Sequence, residues 1–292
     1  MDTIILKGKD VSSSIKEELS IQISDLKLKG VTPCLAAIIV GDNPASKLYV
    51  NSKAKTFKNM DCDSEIFTLP SNTDDFFLLS LIEKINNNSK FHGILVQLPL
   101  PKHLNEKKIL EAIKPEKDVD GFHPKNQGYL MQGNPSFIPC TPYGCLKILE
   151  YYNIDTNGKN IVVIGRSNIV GKPIASLLSQ NVKYGNGTVT LCHSRTKNLS
   201  DFTKKADIIV AAVGIPNLIK KDMIKDGVHI IDVGINRVDD KSREKGYRVV
   251  GDVDFDNVLD KVSSITPVPG GVGVMTVTML LSNTVKAALN QI

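Results

Sequence analysis

Tyr49 and Lys53 stand four residues apart in Tyr49-Val50-Asn51-Ser52-Lys53, a spacing that puts both side chains on one face of a helix. A lysine set in a partly apolar cleft loses solvation of its charge and becomes usable as a proton shuttle near neutral pH. On spacing alone such a pair is more often a surface accident. A second chemical signal is Val162-Val163-Ile164-Gly165-Arg166-Ser167-Asn168-Ile169-Val170-Gly171-Lys172-Pro173, which reads as strand, glycine turn and helix start. Gly165 lets the chain leave the strand sharply, and Gly171 permits close packing where the helix begins. Backbone N–H groups and the positive end of the helix then face any phosphate placed there. The spacing is G-x5-G and not G-x-G-x-x-G, so a purely structural turn is the rival reading. The further buried strands that follow favour a dinucleotide.

The end of the next strand separates the two nicotinamide cofactors. NAD sites usually place a carboxylate there for the ribose 2′-hydroxyl. After Thr188-Val189-Thr190-Leu191-Cys192 this chain has His193-Ser194-Arg195-Thr196 instead. Arg195, Ser194 and Arg166 suit a 2′-phosphate, which favours NADP; solvated surface arginines are the plain alternative. Asp232-Val233-Gly234-Ile235-Asn236 ends a later strand and is expected by the nicotinamide.

These groups need a scaffold, and the hydrophobic pattern describes one. Cys34–Val40 is a continuous apolar run, as in a buried parallel strand, followed by a helical stretch over 45–60. A strand over 65–69, an amphipathic helix over 74–88 and a strand over 93–98 complete a β-α-β-α-β rhythm. Pro139-Cys140-Thr141-Pro142 marks the junction to a second rhythm, with a helix over 143–152 and strands at 160–165, 188–192, 207–213 and 228–233. The charged stretch 239–247 reads as a surface hairpin loop, and an apolar helix over 276–290 closes the chain. The fold class is therefore α/β in two domains, an N-terminal α/β catalytic domain and a Rossmann-like doubly wound NADP-binding domain. The expected division is 1–140 plus 275–292, with the last helix packing back on the first domain, and 141–274.

The chain has 292 residues and a net charge of +5, built from 31 Lys and 5 Arg against 31 acidic residues. Lysines spread among carboxylates describe a solvated surface, and nucleic acid is not an expected partner. The longest strictly apolar runs, Cys34–Val40 and Ile208–Val213, are far short of a membrane span of roughly 20 residues, and no signal peptide is read at the start. The five cysteines form no CxxC pair and the histidines show no ligand spacing, so a reduced, cytoplasmic protein without a bound metal is expected.

Three more motifs join the first two: Gly93-Ile94-Leu95-Val96-Gln97-Leu98-Pro99-Leu100-Pro101, Lys117-Asp118-Val119-Asp120-Gly121-Phe122-His123-Pro124, and Thr266-Pro267-Val268-Pro269-Gly270-Gly271-Val272-Gly273. Together, and in this order, they resemble the bifunctional methylenetetrahydrofolate dehydrogenase/cyclohydrolase family over essentially the whole chain. The resemblance implies NADP-dependent oxidation of 5,10-methylenetetrahydrofolate, then hydrolysis to 10-formyltetrahydrofolate, in a homodimer serving one-carbon metabolism and purine biosynthesis. It implies Lys53 as the proton-transfer group, Gln97 as its holder, Tyr49 stacking beside the folate, and Asp120 binding the pterin N–H groups. Leu98, Pro269, Gly270, Gly271 and Gly273 would line the folate site. Gly165, Arg166, Ser167, Ile169, Gly171, Ser194, Arg195 and Ile235 would hold the cofactor. Val274 departs from the family, which has proline there, and its absence is expected to loosen the turn into the last helix. Short-chain dehydrogenases also carry Tyr-x3-Lys, but after the cofactor glycines and not before them. A shikimate-type dehydrogenase has a similar layout but leaves the Asp118–Gly121 and Pro269–Gly273 motifs unexplained. A non-catalytic NADP-binding protein would need none of Tyr49, Lys53, Gln97 and Asp120.

Overall fold

The computed structural model describes residues 3–244 and 246–292. The chain divides into two compact units. It opens with a short strand β1 (Ile4–Ile5) and a long helix α1 (Gly8–Leu28). There follow β2 (Cys34–Val40), α2 (Pro44–Asn59), β3 (Asp63–Leu69), α3 (Asp75–Asn86), β4 (Gly93–Val96), α4 (Glu106–Glu111) and α5 (Pro124–Met131). The second half runs α6 (Cys140–Tyr151), β5 (Asn160–Ile164), α7 (Gly171–Ser179), β6 (Thr188–Cys192), α8 (Leu199–Thr203), β7 (Ile208–Ala211), β8 (His229–Asp232), β9 (Asn236–Asp239), β10 (Tyr247–Val250), α9 (Phe255–Val258), β11 (Ser264–Ile265) and α10 (Val272–Asn290).

One unit comprises residues 14–140 and 277–292. Its sheet has the order β3-β2-β4, parallel throughout. Every residue of β2 is buried, which is why that strand reads as unbroken apolar sequence and not as an alternation. Helix α3 packs Leu78, Ile82 and Ile85 into the same core as Ile38, Ile94 and Val96. Asp74 begins α3 by accepting the Phe77 N–H at 2.8 Å.

The other unit comprises residues 3–13 and 141–276. Its six-stranded parallel sheet has the order β1-β11-β8-β7-β5-β6. The strand order reverses between β5 and β7, the switch point of a doubly wound sheet. Strands β9 and β10 form a separate antiparallel hairpin; within the charged stretch, Lys245 lies outside the described residues.

Two differences from the sequence reading have physical causes. Residues 3–13, expected in the first domain, belong to the second, because β1 pairs with β11 and the Gly8 N–H donates to the Gly270 carbonyl at 2.9 Å. Helix α10 begins at Val272, four residues ahead of expectation, and is long and apolar enough to cross a membrane. A strictly apolar-run test misses it because threonine, asparagine and lysine interrupt it. Of its most apolar window, 61% is buried inside the protein, as in a core helix.

Candidate functional site

Helix α2 buries a stripe at positions 50, 53 and 57, and the middle residue of that stripe is a lysine. Val50 and Phe57 are fully buried and Lys53 is 8% exposed. An amphipathic stripe ordinarily excludes such a residue. The Lys53 ammonium is held by Gln97, donating to its Oε1 at 3.0 Å. Gln97 is itself fixed: its backbone N–H continues β4 against the Ile38 carbonyl at 2.9 Å, and its Nε2 donates to the Leu98 carbonyl at 2.7 Å. The amide can therefore offer Lys53 only its oxygen. Tyr49, one turn earlier on the same helix, is 44% exposed.

Asp120 lies on the segment that follows β4 in space. The Ile94 N–H donates to the Lys117 carbonyl at 2.8 Å, and Ile94 bridges Asp118 in parallel. Burial raises the Asp120 carboxyl above the usual carboxylate value, while the Lys53 charge and a hydrogen bond from the Cys140 thiol pull it back. Burial and the nearby Asp120 charge push the Cys140 thiol well up, so it stays a neutral donor. Lys53, Gln97, Leu98 and Asp120 are thus gathered in one unit, with Tyr49 beside them.

Sequence reasoning gave no role to three residues that build this corner. Asp118 accepts from the Phe122 N–H at 3.1 Å, the His123 N–H at 2.8 Å and Asn126 Nδ2 at 2.8 Å, folding the turn that carries Asp120. Asn283 of α10 donates to the Val119 and Ile138 carbonyls at 2.8 and 2.9 Å and contacts Cys140 Sγ at 3.8 Å. Cys140 is the third. The only prior signal was the place of Asp118 two residues before Asp120.

The other unit carries the glycine turn. Gly165 has φ +118°, and a Cβ on it would strike the Ala212 carbonyl. A Cβ on Gly171 would strike the Gly165 carbonyl, so the turn closes only with glycine at both positions. Ser167 Oγ accepts from the Val170 and Gly171 N–H groups at 3.1 and 3.3 Å at the start of α7. Of the five arginines, Arg243 and Arg248 lie within 4.0 Å of Asp240, and Arg237 stacks on Tyr247. Arg166 and Arg195 are exposed and pair with no carboxylate among the described residues. Ser194 is exposed beside Arg195, on a turn shaped by the Arg195 N–H donating to His193 Nδ1 at 3.1 Å. Ile169 and Ile235 are exposed at 39% and 50% although apolar. Free guanidinium groups, a side-chain-free turn and exposed isoleucines at the carboxyl edge of the sheet fit a dinucleotide bearing a 2′-phosphate.

Pro269, Gly270, Gly271 and Gly273 lie in this same unit, apart from the Lys53 group in the division of the chain. Gly273 lies near Ile235, where an added Cβ would come within 3.3 Å of Cδ1. Val274 sits in the first turn of α10 and donates its N–H to the Gly271 carbonyl at 3.3 Å, a bond that proline could not make.

The fold and site define a two-unit α/β enzyme that combines a Rossmann-type nucleotide-binding sheet with a buried lysine held by a half-buried amide near a half-buried carboxylate. Residues 6–120 match the catalytic domain of tetrahydrofolate dehydrogenase/cyclohydrolase, and residues 139–292 match its NAD(P)-binding domain. The chain belongs to the tetrahydrofolate dehydrogenase/cyclohydrolase family. It is 53% identical to the bifunctional protein FolD of Campylobacter hominis, over 99% of this chain and 98% of that one. The crystal structure of the bifunctional FolD dehydrogenase/cyclohydrolase from Campylobacter jejuni matches with a TM-score of 0.94 at 52% identity, covering 99% of this chain and all of that one. The Trypanosoma brucei dehydrogenase-cyclohydrolase, solved with NADP and an inhibitor, matches at 0.93 and 38%, covering 99% and 98%. Shikimate dehydrogenase from Thermus thermophilus matches at 0.52 and 12% identity, covering 88% of this chain and all of that one, a likeness of fold alone.

Proposed function

We propose that this chain oxidises 5,10-methylenetetrahydrofolate with NADP⁺ to the 5,10-methenyl cation and then hydrolyses that cation to 10-formyltetrahydrofolate. The observation that carries the reading is the buried Lys53 ammonium, held at 3.0 Å by Gln97 and coupled to Asp120. In the hydrolysis, water adds to the methenyl carbon and gives up a proton. The bond from that carbon to N5 breaks as N5 takes a proton and the added hydroxyl gives up its remaining one, leaving the formyl group on N10 and one proton released overall. Lys53 is the group that moves protons between water and the folate, and Gln97 fixes its direction. Asp120 offers two acceptor oxygens to the pterin amino and ring N–H groups. Tyr49 covers the folate ring, and Leu98 lines the folate site.

Bound NADP supplies the hydride acceptor. The turn Gly165–Gly171, with Ser167 and Ile169, holds its pyrophosphate region; Arg166, Ser194 and Arg195 hold the 2′-phosphate; and Ile235 supports the nicotinamide end. The protein works as a homodimer in the cytoplasm, without nucleic acid or membrane as partner, and its product serves purine biosynthesis. The test is to follow reduction of NADP⁺ and of NAD⁺ with methylenetetrahydrofolate, then decay of the methenyl absorbance. Reduction of NADP⁺ in preference to NAD⁺, followed by decay above the spontaneous rate, is expected. No reduction with either cofactor would refute the dehydrogenase reading.

A further inference from the structure

Two carboxylates in the nucleotide-binding unit lie outside the groups assigned so far. Asp232 and Asp252 are 1% and 0% exposed, and neither pairs with a cation among the described residues. Asp232, the last residue of β8, accepts the N–H groups of Gly234 at 3.0 Å, Asp252 at 2.9 Å and Val253 at 3.0 Å. Asp252, just past β10, accepts the N–H groups of Val213 at 2.7 Å and Gly214 at 3.0 Å through Oδ2, and Asn236 Nδ2 at 2.9 Å through Oδ1. The two are interleaved: a Cβ on Gly251 would strike the Asp232 carboxylate, and one on Gly234 would strike that of Asp252.

The segments tied together are the loop after β7, the loop after β8 and the strand exit at 251–253. The first of these adjoins the switch point between β5 and β7, outside whose carboxyl ends a doubly wound sheet binds its ligand. It also abuts the glycine turn, since the Ala212 carbonyl is the atom that Gly165 approaches. Each braced glycine is followed by an exposed isoleucine, Ile215 after Gly214 and Ile235 after Gly234, both 50% exposed. Burying two carboxylates without a cation is expensive, and stability alone is commonly served as well by apolar packing. The arrangement is explained if the placement of those two loops matters. Burial pushes the Asp232 carboxyl up to about 6 against the pull of its three N–H donors, with the Asp252 charge adding to the rise.

We propose that Asp232 and Asp252 are positioning residues of the NADP site, which set the loops after β7 and β8 so that Ile215 joins Ile235 as an apolar contact for the dinucleotide. This rests on the reading of the unit as NADP-binding, and deepens it by adding Ile215 as a contact and Asp252 as the residue that places it. Asp252→Ala removes the acceptor from Val213, Gly214 and Asn236 together. Three measurements on the full chain test the idea: NADP affinity by calorimetric titration, amide hydrogen exchange at Gly214, and hydrolysis of methenyltetrahydrofolate without NADP. The expected result is NADP binding weakened at least tenfold, faster exchange at Gly214, and hydrolysis within twofold of the wild type. Asp252→Asn keeps one acceptor oxygen and should restore most of the affinity, while Ile215→Ala should weaken binding severalfold without changing exchange. An Asp252→Ala protein that binds NADP within twofold of the wild type overturns the proposal, as does a parallel loss of hydrolysis, which would mark general damage. If Asp252→Ala does not fold, the half-buried Asn236→Ala is scored by the same affinity criterion, with threefold weakening in support and unchanged binding against. Wild-type protein that fails to bind NADP would refute the parent reading and this one with it, whereas unaltered variants beside a binding wild type overturn only the brace.

Discussion

Replacing Lys53 by methionine separates the chemistry of the lysine from its packing. Methionine is unbranched and adaptable, so it keeps the apolar stem between Val50 and Phe57 while deleting the ammonium. Gln97 Oε1 then loses its donor at 3.0 Å. Losing a partner costs about 1–3 kcal/mol at a buried site, and the half-buried Gln97 falls at the low end, near 1 kcal/mol. The chain should therefore fold with a slightly lower midpoint in urea. Asp120 loses the positive charge that holds its carboxyl down, so it moves further up and binds the pterin donors less well. A positioned proton-transfer group is worth about 10²–10⁴ in rate, or roughly 2.7–5.4 kcal/mol of barrier. Decay of the methenyl absorbance should thus slow at least a hundredfold, while NADP titrates as in the wild type. Hydrolysis by Lys53→Met at the wild-type rate would refute the role given to Lys53. A simultaneous loss of NADP binding would show that the substitution had damaged more than the site.

Three other outcomes follow from the same geometry. The Asp118 carboxyl sits at about 7 against a usual 3.8 because burial outweighs its three donors, so the folded chain holds that proton more tightly than the unfolded one. Its contribution to stability is complete below about pH 4 and is lost as pH rises through about 7; urea unfolding at pH 5 and pH 8 should show this slope, and Asp118→Asn should flatten it. Arg195→Ser should raise KM for NADP about tenfold through loss of a charge-assisted contact, while KM for NAD stays unchanged; equal effects on both would remove Arg195 from the 2′-phosphate. Asn283→Ala leaves the Val119 and Ile138 carbonyls without their donor, which should cost about 2–4 kcal/mol in urea unfolding and raise KM for the folate with NADP affinity unchanged.

The sequence alone determined most elements and the identity of the chemical groups, because those signals are local. The unbroken run Cys34–Val40 marks a strand buried on both faces, and the Gly165–Gly171 spacing marks a turn that no side chain can enter. The missing carboxylate after β6 and the presence of Arg195 are read off neighbouring letters in the same way. Even Lys53 was legible as a candidate, through its spacing from Tyr49. Local patterns are silent about partners that strand register and packing bring together. That β1 joins the second sheet depends on β11, some 260 positions later. That Gln97 meets Lys53 depends on β4 pairing with β2, and that Asp120 is held from behind depends on Asn283, 164 positions away from Val119. Asp232 at a strand end and Asp252 past the charged loop look like ordinary carboxylates until the sheet brings the Asp252 N–H onto Asp232 and packs Gly234 and Gly251 against the two carboxylates. The letters supplied a lysine, an amide and a carboxylate; tertiary structure buried the lysine, set the amide oxygen against it, and raised the carboxyl of Asp120 by burial.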